Sequence, residues 1–133
     1  MVVEDANAAG GLLGKQIEVI GYDTRGDATE AVNAVKRLTS QDKVVAILGP
    51  NASGQAISIS GVLEQMKVAN IATVATNPKV TVNDDGSVKP YNFRVCFIDP
   101  YQGAVAAGYA ADKLSFTKAA ILYDVTSDYS QGL

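Results

Sequence analysis

Residues 44–54 read Val44-Val45-Ala46-Ile47-Leu48-Gly49-Pro50-Asn51-Ala52-Ser53-Gly54, and residues 68–78 read Val68-Ala69-Asn70-Ile71-Ala72-Thr73-Val74-Ala75-Thr76-Asn77-Pro78. In each stretch a short apolar run, typical of a buried strand, leads into a loop of small and hydroxyl-bearing residues. In a parallel sheet the carboxyl ends of neighbouring strands face one crevice, where ligands bind. The loops offer hydroxyls and backbone N–H groups but no metal ligand and no activated nucleophile. The pattern therefore predicts a site that holds a ligand without reacting with it.

The composition excludes several classes of protein. The chain has 133 residues, enough for one domain that buries roughly two thirds of its unfolded surface. Its net charge is −3, and the absence of a Lys/Arg cluster argues against a nucleic-acid partner. No apolar run reaches the ~18 residues that a membrane helix needs, so no membrane span is predicted. No secretory leader is recognisable either.

Catalysis is not expected. Histidine is absent, which removes the commonest general base and the commonest metal ligand, and the single Cys96 excludes an internal disulfide. Residues 10–14 resemble a dinucleotide loop, but they precede a strand instead of following one. Residues 49–54 lack the lysine of a phosphate-binding loop. We therefore predict no enzyme, no catalytic residue, no metal and no cofactor.

Strands and helices alternate along the sequence. Helices are predicted near residues 3–9, 28–40, 53–66 and 101–114, and strands near 17–20, 43–48, 68–74, 91–95 and 119–123. Asp27 and Glu30 resemble a capping box at the start of the second helix, and Gly10-Gly11 is expected to end the first. This alternation predicts an α/β domain with a mostly parallel sheet flanked by helices.

Five motifs occur in an order that resembles a known family. They are residues 7–15, 22–27, 49–54, 75–78 and 123–132. Together they resemble the type I periplasmic binding proteins, in the leucine/isoleucine/valine-binding branch that serves ABC importers. The resemblance implies a flavodoxin-like lobe, an amino-acid ligand, an ABC permease as docking partner of the parent protein, and a periplasmic or extracellular location.

The resemblance covers only part of the family's two-lobed pattern. Residues 1–98 resemble a first lobe without its first strand, and residues 99–133 resemble the start of the second lobe, so 1–133 is expected to form a single flavodoxin-like lobe. A missing central strand leaves unpaired backbone groups, which are costly when buried. We predict that residues 119–123 fill the gap, either within the same chain or by strand exchange in a homodimer.

The resemblance also implies site residues. Ser53 and Thr76 would donate to the carboxylate of leucine, isoleucine or valine, and the Val74 carbonyl would accept from its ammonium group. Gly54 and Ala75 adjoin them in the same loops, and Tyr129 matches a second-lobe tyrosine that covers the amino acid.

Each of these residues also has a purely structural interpretation. Ser53 suits a helix N-cap, Thr76 suits a turn before Pro78, and Tyr129 lies near the end of the chain. Two functions therefore remain open. The chain is either part of a branched-chain amino-acid binding protein, or a truncated or engineered lobe that keeps the fold without useful affinity.

Overall fold

The computed structural model describes residues 2–133. Six helices and three strands are present in this part of the chain. The helices are α1 (Val2–Ala8), α2 (Ala28–Ser40), α3 (Ser53–Ser58), α4 (Ser60–Met66), α5 (Asp99–Asp112) and α6 (Asp128–Gly132). The strands are β1 (Ala46–Leu48), β2 (Ala69–Ala72) and β3 (Asn92–Arg94), and Pro78–Val80 forms a single 3-10 turn.

The sheet is parallel throughout its three described strands. Its order is β1-β2-β3, with Ile47 opposite Asn70 and Ile71 opposite Phe93. Helices connect β1 to β2, as parallel strands require a crossover. This architecture confirms the predicted α/β class with a parallel sheet flanked by helices.

The start of α2 follows the prediction from its capping residues. The Asp27 carboxylate accepts a hydrogen bond from the Glu30 backbone N–H at 2.8 Å, which satisfies one of the free amides of the first helical turn. The buried side of α2 then packs Ala31 and Val35 against Ile47 of β1 and against α4. The cap thus sets where α2 begins, and the apolar spacing sets which side meets the sheet.

A second apolar cluster lies under the loops that follow β1 and β2. It contains four fully buried residues, Ala56, Ala72, Ala75 and Val80. Ala56 comes from α3, Ala72 ends β2, and Val80 closes the 3-10 turn. This cluster holds the loop after β2 firmly against α3.

The predicted strand at residues 17–20 is wrong in this structure. Residues 16–24 carry no strand assignment, and residues 18–22 make no backbone hydrogen bond to another described residue. The segment is tied down through side chains: Asn7 bonds the Ile17 backbone, and the Tyr22 hydroxyl donates to Asp42 at 2.9 Å. A strand needs a paired neighbour, and here none lies beside it.

Insertion of residues 119–123 within the same chain does not occur in the structure. The segment forms no strand, and Ile121 and Leu122 are 88% and 101% exposed. The helix that follows the segment, α6, packs on α3 and α5. The within-chain form of the prediction is therefore corrected; strand exchange stays a prediction.

Two smaller features complete the fold. The predicted helix at 53–66 is divided at Ile59 into α3 and α4. Gly11 donates its N–H to the Ala6 carbonyl at 2.8 Å with φ of 77°, so Gly10-Gly11 ends α1 as predicted. Over residues 2–133, none of the helices has the length and apolar character to cross a membrane.

Candidate functional site

The loops after β1 and β2 meet at the carboxyl edge of the sheet. The Asn77 backbone N–H donates to Ser53 Oγ at 3.2 Å. Both Ser53 and Thr76 are only 4% exposed. The sequence prediction that these two strand ends share one crevice follows from parallel topology, and the structure brings them into direct contact.

A cavity of about 790 Å³ opens beside this contact. Its walls come from the two loops, from α3, and from the segment around the start of α6. The lining residues are Gly26, Ala28, Asn51, Ala52, Ser53, Gly54, Gln55, Val74, Thr76, Phe97, Gln102, Thr126, Ser127, Asp128 and Tyr129. The volume falls within the range of small-molecule sites, which are clefts of about 300–1,000 Å³.

Five of the six predicted site residues line this cavity. They are Ser53, Gly54, Val74, Thr76 and Tyr129. Ala75 is the exception, because it is fully buried in the cluster beneath the loop. Its carbonyl accepts from the Arg94 guanidinium at 3.4 Å. Successive side chains of an extended loop point to opposite sides, so Val74 and Thr76 reach the cavity while Ala75 faces the core.

Ser53 presents donors to the cavity. It is the first residue of α3, and the first hydrogen bond within that helix runs from Ala56 N–H to Ala52 O. The amides of residues 53–55 therefore lack a partner within the helix. Since Ser53 Oγ already accepts from Asn77, its hydroxyl hydrogen is available for an acceptor outside the protein.

Thr76 adds a second donor that the protein leaves unused. Its Oγ1 is buried and has no hydrogen-bond partner among the described residues. A buried hydroxyl without a partner is costly, by about 1–3 kcal/mol. Its backbone carbonyl accepts from the Asp99 N–H at 3.1 Å, which fixes the residue while the hydroxyl stays free.

The far wall of the cavity is held by α6. Ser127 caps this helix by accepting from the Ser130 N–H at 3.2 Å. Asn77 Nδ2 donates to the Asp128 carbonyl at 2.6 Å. Gly54 allows the close approach, because a Cβ at this position would lie 2.9 Å from the Asp128 carboxylate. The hydrogen bond from Asn77 to the Asp128 carbonyl thus closes one side of the cavity.

Aromatic residues form the remaining wall. Gln102 of α5 donates to the Tyr129 hydroxyl at 3.0 Å. Phe97 lies beside Tyr101, with 6.5 Å between their ring centroids. Tyr129 is 38% exposed and, like Phe97, lines the cavity.

The charge of the lining is limited to one group. Asp128 is the only charged residue among the described lining residues. Within residues 2–133, no three His, Cys, Asp or Glu side chains lie close enough together to hold a metal ion. The site thus combines N–H and O–H donors with a single carboxylate, which lies beside Gly54 at the start of α3.

The sequence prediction named five of the fifteen lining residues and missed the other ten, among them Phe97, Gln102 and Asp128. It also missed Asn77, which hydrogen-bonds both Ser53 and Asp128. Asn77 carried a usable signal, because asparagine before proline marks a turn and an Asx cap, and Asp128 lies within the 123–132 motif. Phe97 and Gln102 carried none, since only the packing of elements distant in sequence brings them to the cavity.

The whole chain, residues 1–133, matches the family model described as periplasmic binding protein. The chain belongs to this family. The relatives within it include an amino acid binding protein of Pseudomonas aeruginosa, 35% identical over 98% of this chain and 33% of the relative. A Leu/Ile/Val-binding protein homolog of Brucella abortus is 34% identical over 98% of this chain and 34% of the relative.

Solved structures of the family share this fold. The branched-chain amino acid transporter substrate-binding protein LivJ from Streptococcus pneumoniae, in complex with isoleucine, matches with a TM-score of 0.89 and 35% identity. The leucine-binding protein LivK from Thermotoga maritima matches with a TM-score of 0.85 and 36% identity. Each match covers 98% of this chain and 36% of the solved chain. The chain thus spans about a third of the length of the relatives it matches.

Proposed function

We propose that this chain is part of the substrate-binding component of a branched-chain amino-acid ABC importer. The cavity at the carboxyl edge of the sheet would hold the carboxylate of leucine, isoleucine or valine. The buried Thr76 hydroxyl, which has no partner in the described chain, is the observation that carries this proposal.

The donors of the cavity suit a carboxylate. Ser53 Oγ, Thr76 Oγ1 and the free amides that open α3 are hydrogen-bond donors with no cation beside them. Hydrogen bonds to an ionised group contribute about 1.5–3 kcal/mol each, more than those between neutral groups. Two hydroxyls and free amides can therefore bind an anion without lysine or arginine.

The acceptors of the cavity suit an ammonium group. The Asp128 carboxylate lines the cavity, and the Val74 backbone carbonyl lies on the same loop as Thr76. A ligand with a carboxylate and an ammonium group close together would use both the donors and the acceptors. The walls of Val74, Phe97 and Tyr129 are apolar or aromatic, which favours an aliphatic side chain.

The relatives support the same chemistry. The Pseudomonas relative is named as an amino acid binding protein, and the Streptococcus structure contains isoleucine. By this resemblance the parent protein would act in the periplasm or outside the cell and deliver its ligand to an ABC permease.

Isothermal titration calorimetry of the chain with isoleucine, leucine and valine tests the proposal. We expect measurable binding, weakened at least ~10-fold by Ser53→Ala or Thr76→Val, because each removes a hydrogen bond to a charged group. Ser58→Ala, on the same helix but outside the cavity lining, should leave the affinity unchanged.

A second proposal rests on the exposure of the cavity walls, since Val74 and Phe97 are 58% and 53% exposed. The chain would keep the fold of a binding-protein lobe without useful affinity, because binding sites normally enclose over ~70% of the ligand surface. Absence of heat at millimolar isoleucine, leucine and valine, from a chain with native circular dichroism, would support this second function and overturn the first.

A further inference from the structure

Arg94 holds the loop that follows β2 without lining the cavity. It is the last residue of β3 and pairs in register with Ala72, the last residue of β2. Its Nη1 donates to the Asn77 carbonyl at 2.8 Å and, in a longer contact, to the Ala75 carbonyl at 3.4 Å. Its Nη2 donates to Thr81 Oγ1 at 2.8 Å. One guanidinium thus bonds the loop at three points.

The carbonyls of residues 75–77 all accept hydrogen bonds from residues 94–99. Arg94 bonds the first and the last of these carbonyls. The middle one, that of Thr76, accepts from the Asp99 N–H at 3.1 Å. The segment that begins at the end of β3 therefore holds three consecutive peptide groups by their oxygen atoms.

The amides of the same peptide groups point the other way, because the N–H of a trans peptide lies opposite its C=O. The Asn77 N–H donates to Ser53 Oγ at 3.2 Å, and Ser53 lines the cavity. The Thr76 N–H makes no backbone hydrogen bond with a described residue, and the Thr76 hydroxyl has no partner there. The loop therefore turns its donors towards the cavity and its carbonyls towards Arg94.

The charge of Arg94 faces only neutral groups. Within residues 2–133, its guanidinium hydrogen-bonds two carbonyls and one hydroxyl. A cation bonded to a carbonyl polarises the peptide group, which makes the N–H of that group a stronger donor. Oriented amides with a cation behind them favour an anion in front of them.

We infer that Arg94 is a positioning residue for the ligand carboxylate and does not itself touch the ligand. It holds the carbonyls of Ala75 and Asn77 away from the cavity, so that the loop presents hydrogen-bond donors to the carboxylate. Its charge strengthens those donors. Arginine suits this position, because its planar guanidinium bonds several acceptors at once and stays charged. The inference rests on the proposed function, since it concerns the same site.

Isothermal titration calorimetry with isoleucine tests the inference. Arg94→Ala should weaken binding at least ~10-fold, because the loop donors are neither held nor polarised. Arg94→Lys keeps the charge and should lose less affinity than Arg94→Gln, which keeps a donor without the charge. Arg37→Ala is the matched control, since Arg37 is exposed, lies over the Tyr22 ring and does not line the cavity. It should leave the affinity unchanged.

Chemical rescue separates positioning from a general loss of stability. Guanidinium chloride at ~20 mM, far below denaturing concentrations, should restore part of the affinity of Arg94→Ala, with sodium chloride at the same concentration as the control. Thr76→Val lacks a donor of its own and should not respond. A variant that is merely destabilised would not gain affinity, because guanidinium favours the unfolded chain.

Hydrogen exchange measured by NMR without ligand separates the inference from the proposed function. The Asn77 amide should exchange faster in Arg94→Ala than in the unmodified chain, and guanidinium should slow it again. Unchanged exchange at Asn77 would overturn the inference whether or not isoleucine binds. If the exchange responds but the unmodified chain binds no isoleucine, the proposed function fails and the hold of Arg94 on the loop stands.

The calorimetric results have equally definite readings. Undiminished binding by Arg94→Ala would overturn the inference, and so would an affinity of Arg94→Gln that equals or exceeds that of Arg94→Lys. Circular dichroism checks that each variant is folded. Should Arg94→Ala not fold, the comparison of Arg94→Lys with Arg94→Gln decides, because both side chains keep a hydrogen-bond donor at this position.

Discussion

Asn77 makes three hydrogen bonds that hold parts of the candidate site together. Its backbone N–H donates to Ser53 Oγ, its Nδ2 donates to the Asp128 carbonyl, and its Oδ1 accepts from the Lys79 N–H at 2.9 Å. The side chain thus caps the 3-10 turn and holds α6 at the same time. These two roles use different atoms, so they can be separated by substitution.

We predict that Asn77→Ala and Asn77→Ser will both release α6, because neither side chain can reach the Asp128 carbonyl. Amides of residues 128–132 should then exchange faster by hydrogen-exchange mass spectrometry. Asn77→Ala should lower the free energy of unfolding by about 1 kcal/mol more than Asn77→Ser does, since serine keeps an oxygen suited to capping. Equal stability of the two variants in urea would contradict the assignment of a capping role.

Lys89 is a buried cation at the edge of the second apolar cluster. Its side chain donates to the Lys79 carbonyl at 2.6 Å and to Ser60 Oγ at 3.3 Å, and the residue is 8% exposed. Burial lowers the pKa of its ammonium group below the usual 10.5, since removal from water disfavours the charged form.

The lowered pKa of Lys89 predicts a pH dependence. Between that pKa and 10.5 the unfolded chain binds more protons than the folded chain, so the free energy of unfolding rises with pH across this window. Relative to Lys89→Met, the unmodified chain should therefore gain stability as the pH rises from the lowered pKa of Lys89 towards 10.5. Urea unfolding at several pH values measures the difference, and Lys36→Met, which removes an exposed lysine, is the control. A difference that falls with pH would contradict the burial argument.

At the scale of elements, α3 and α4 each contain one glycine, and the two glycines have different surroundings. A Cβ at Gly54 of α3 would lie 2.9 Å from the Asp128 carboxylate, whereas one at Gly61 of α4 would meet nothing within 4 Å. Helix propensity favours alanine over glycine by about 1 kcal/mol at both positions. The two sites therefore differ only in tertiary contact.

We predict that Gly61→Ala will raise the free energy of unfolding by up to about 1 kcal/mol and leave isoleucine binding unchanged. Gly54→Ala should weaken binding severalfold, because its methyl group enters the cavity and displaces Asp128. Paired urea denaturation and calorimetry on both variants measure these effects. Undiminished binding by Gly54→Ala would show that the cavity tolerates an added methyl group and that ligand does not approach α3.

At the scale of the whole molecule, the apolar core and the candidate site depend on different parts of the chain. Among residues 2–133, every buried hydrophobic residue lies between Ala31 and Val80. The cavity, in contrast, takes four of its lining residues from 126–129. Folding of the described lobe should therefore be separable from completion of the site.

We predict that a chain ending at residue 114 will still unfold cooperatively, because it keeps both apolar clusters and all three strands. The same chain should bind isoleucine at least ~10-fold more weakly, since the walls from Thr126 to Tyr129 are gone. Circular dichroism during thermal unfolding tests whether the shortened chain unfolds cooperatively. Calorimetry with isoleucine tests whether its binding is weaker. Loss of the cooperative transition would show that residues 115–133 contribute to the core itself.

Local signals in the sequence predicted most elements correctly. The Asp27 cap fixed the start of α2, the glycine pair ended α1, and the apolar runs located β1, β2 and β3 to within a few residues. Parallel order also brought Ser53 and Thr76 together at one edge. The failures, at residues 17–20 and 119–123, share one cause: both segments have strand composition, but pairing depends on a neighbour that composition does not reveal.

The sequence by itself determined the α/β class, the parallel sheet and the two loops at its carboxyl edge, because periodicity, caps and breakers act within a few residues of one another. Only the tertiary structure decided which side chains complete the cavity. Asn77 bonds Asp128, which lies 51 residues away in the sequence, and Gln102 bonds Tyr129, which lies 27 residues away. The tertiary structure also decided that residues 119–123 remain exposed. Long-range contacts set both outcomes, and these arise only when distant elements pack together.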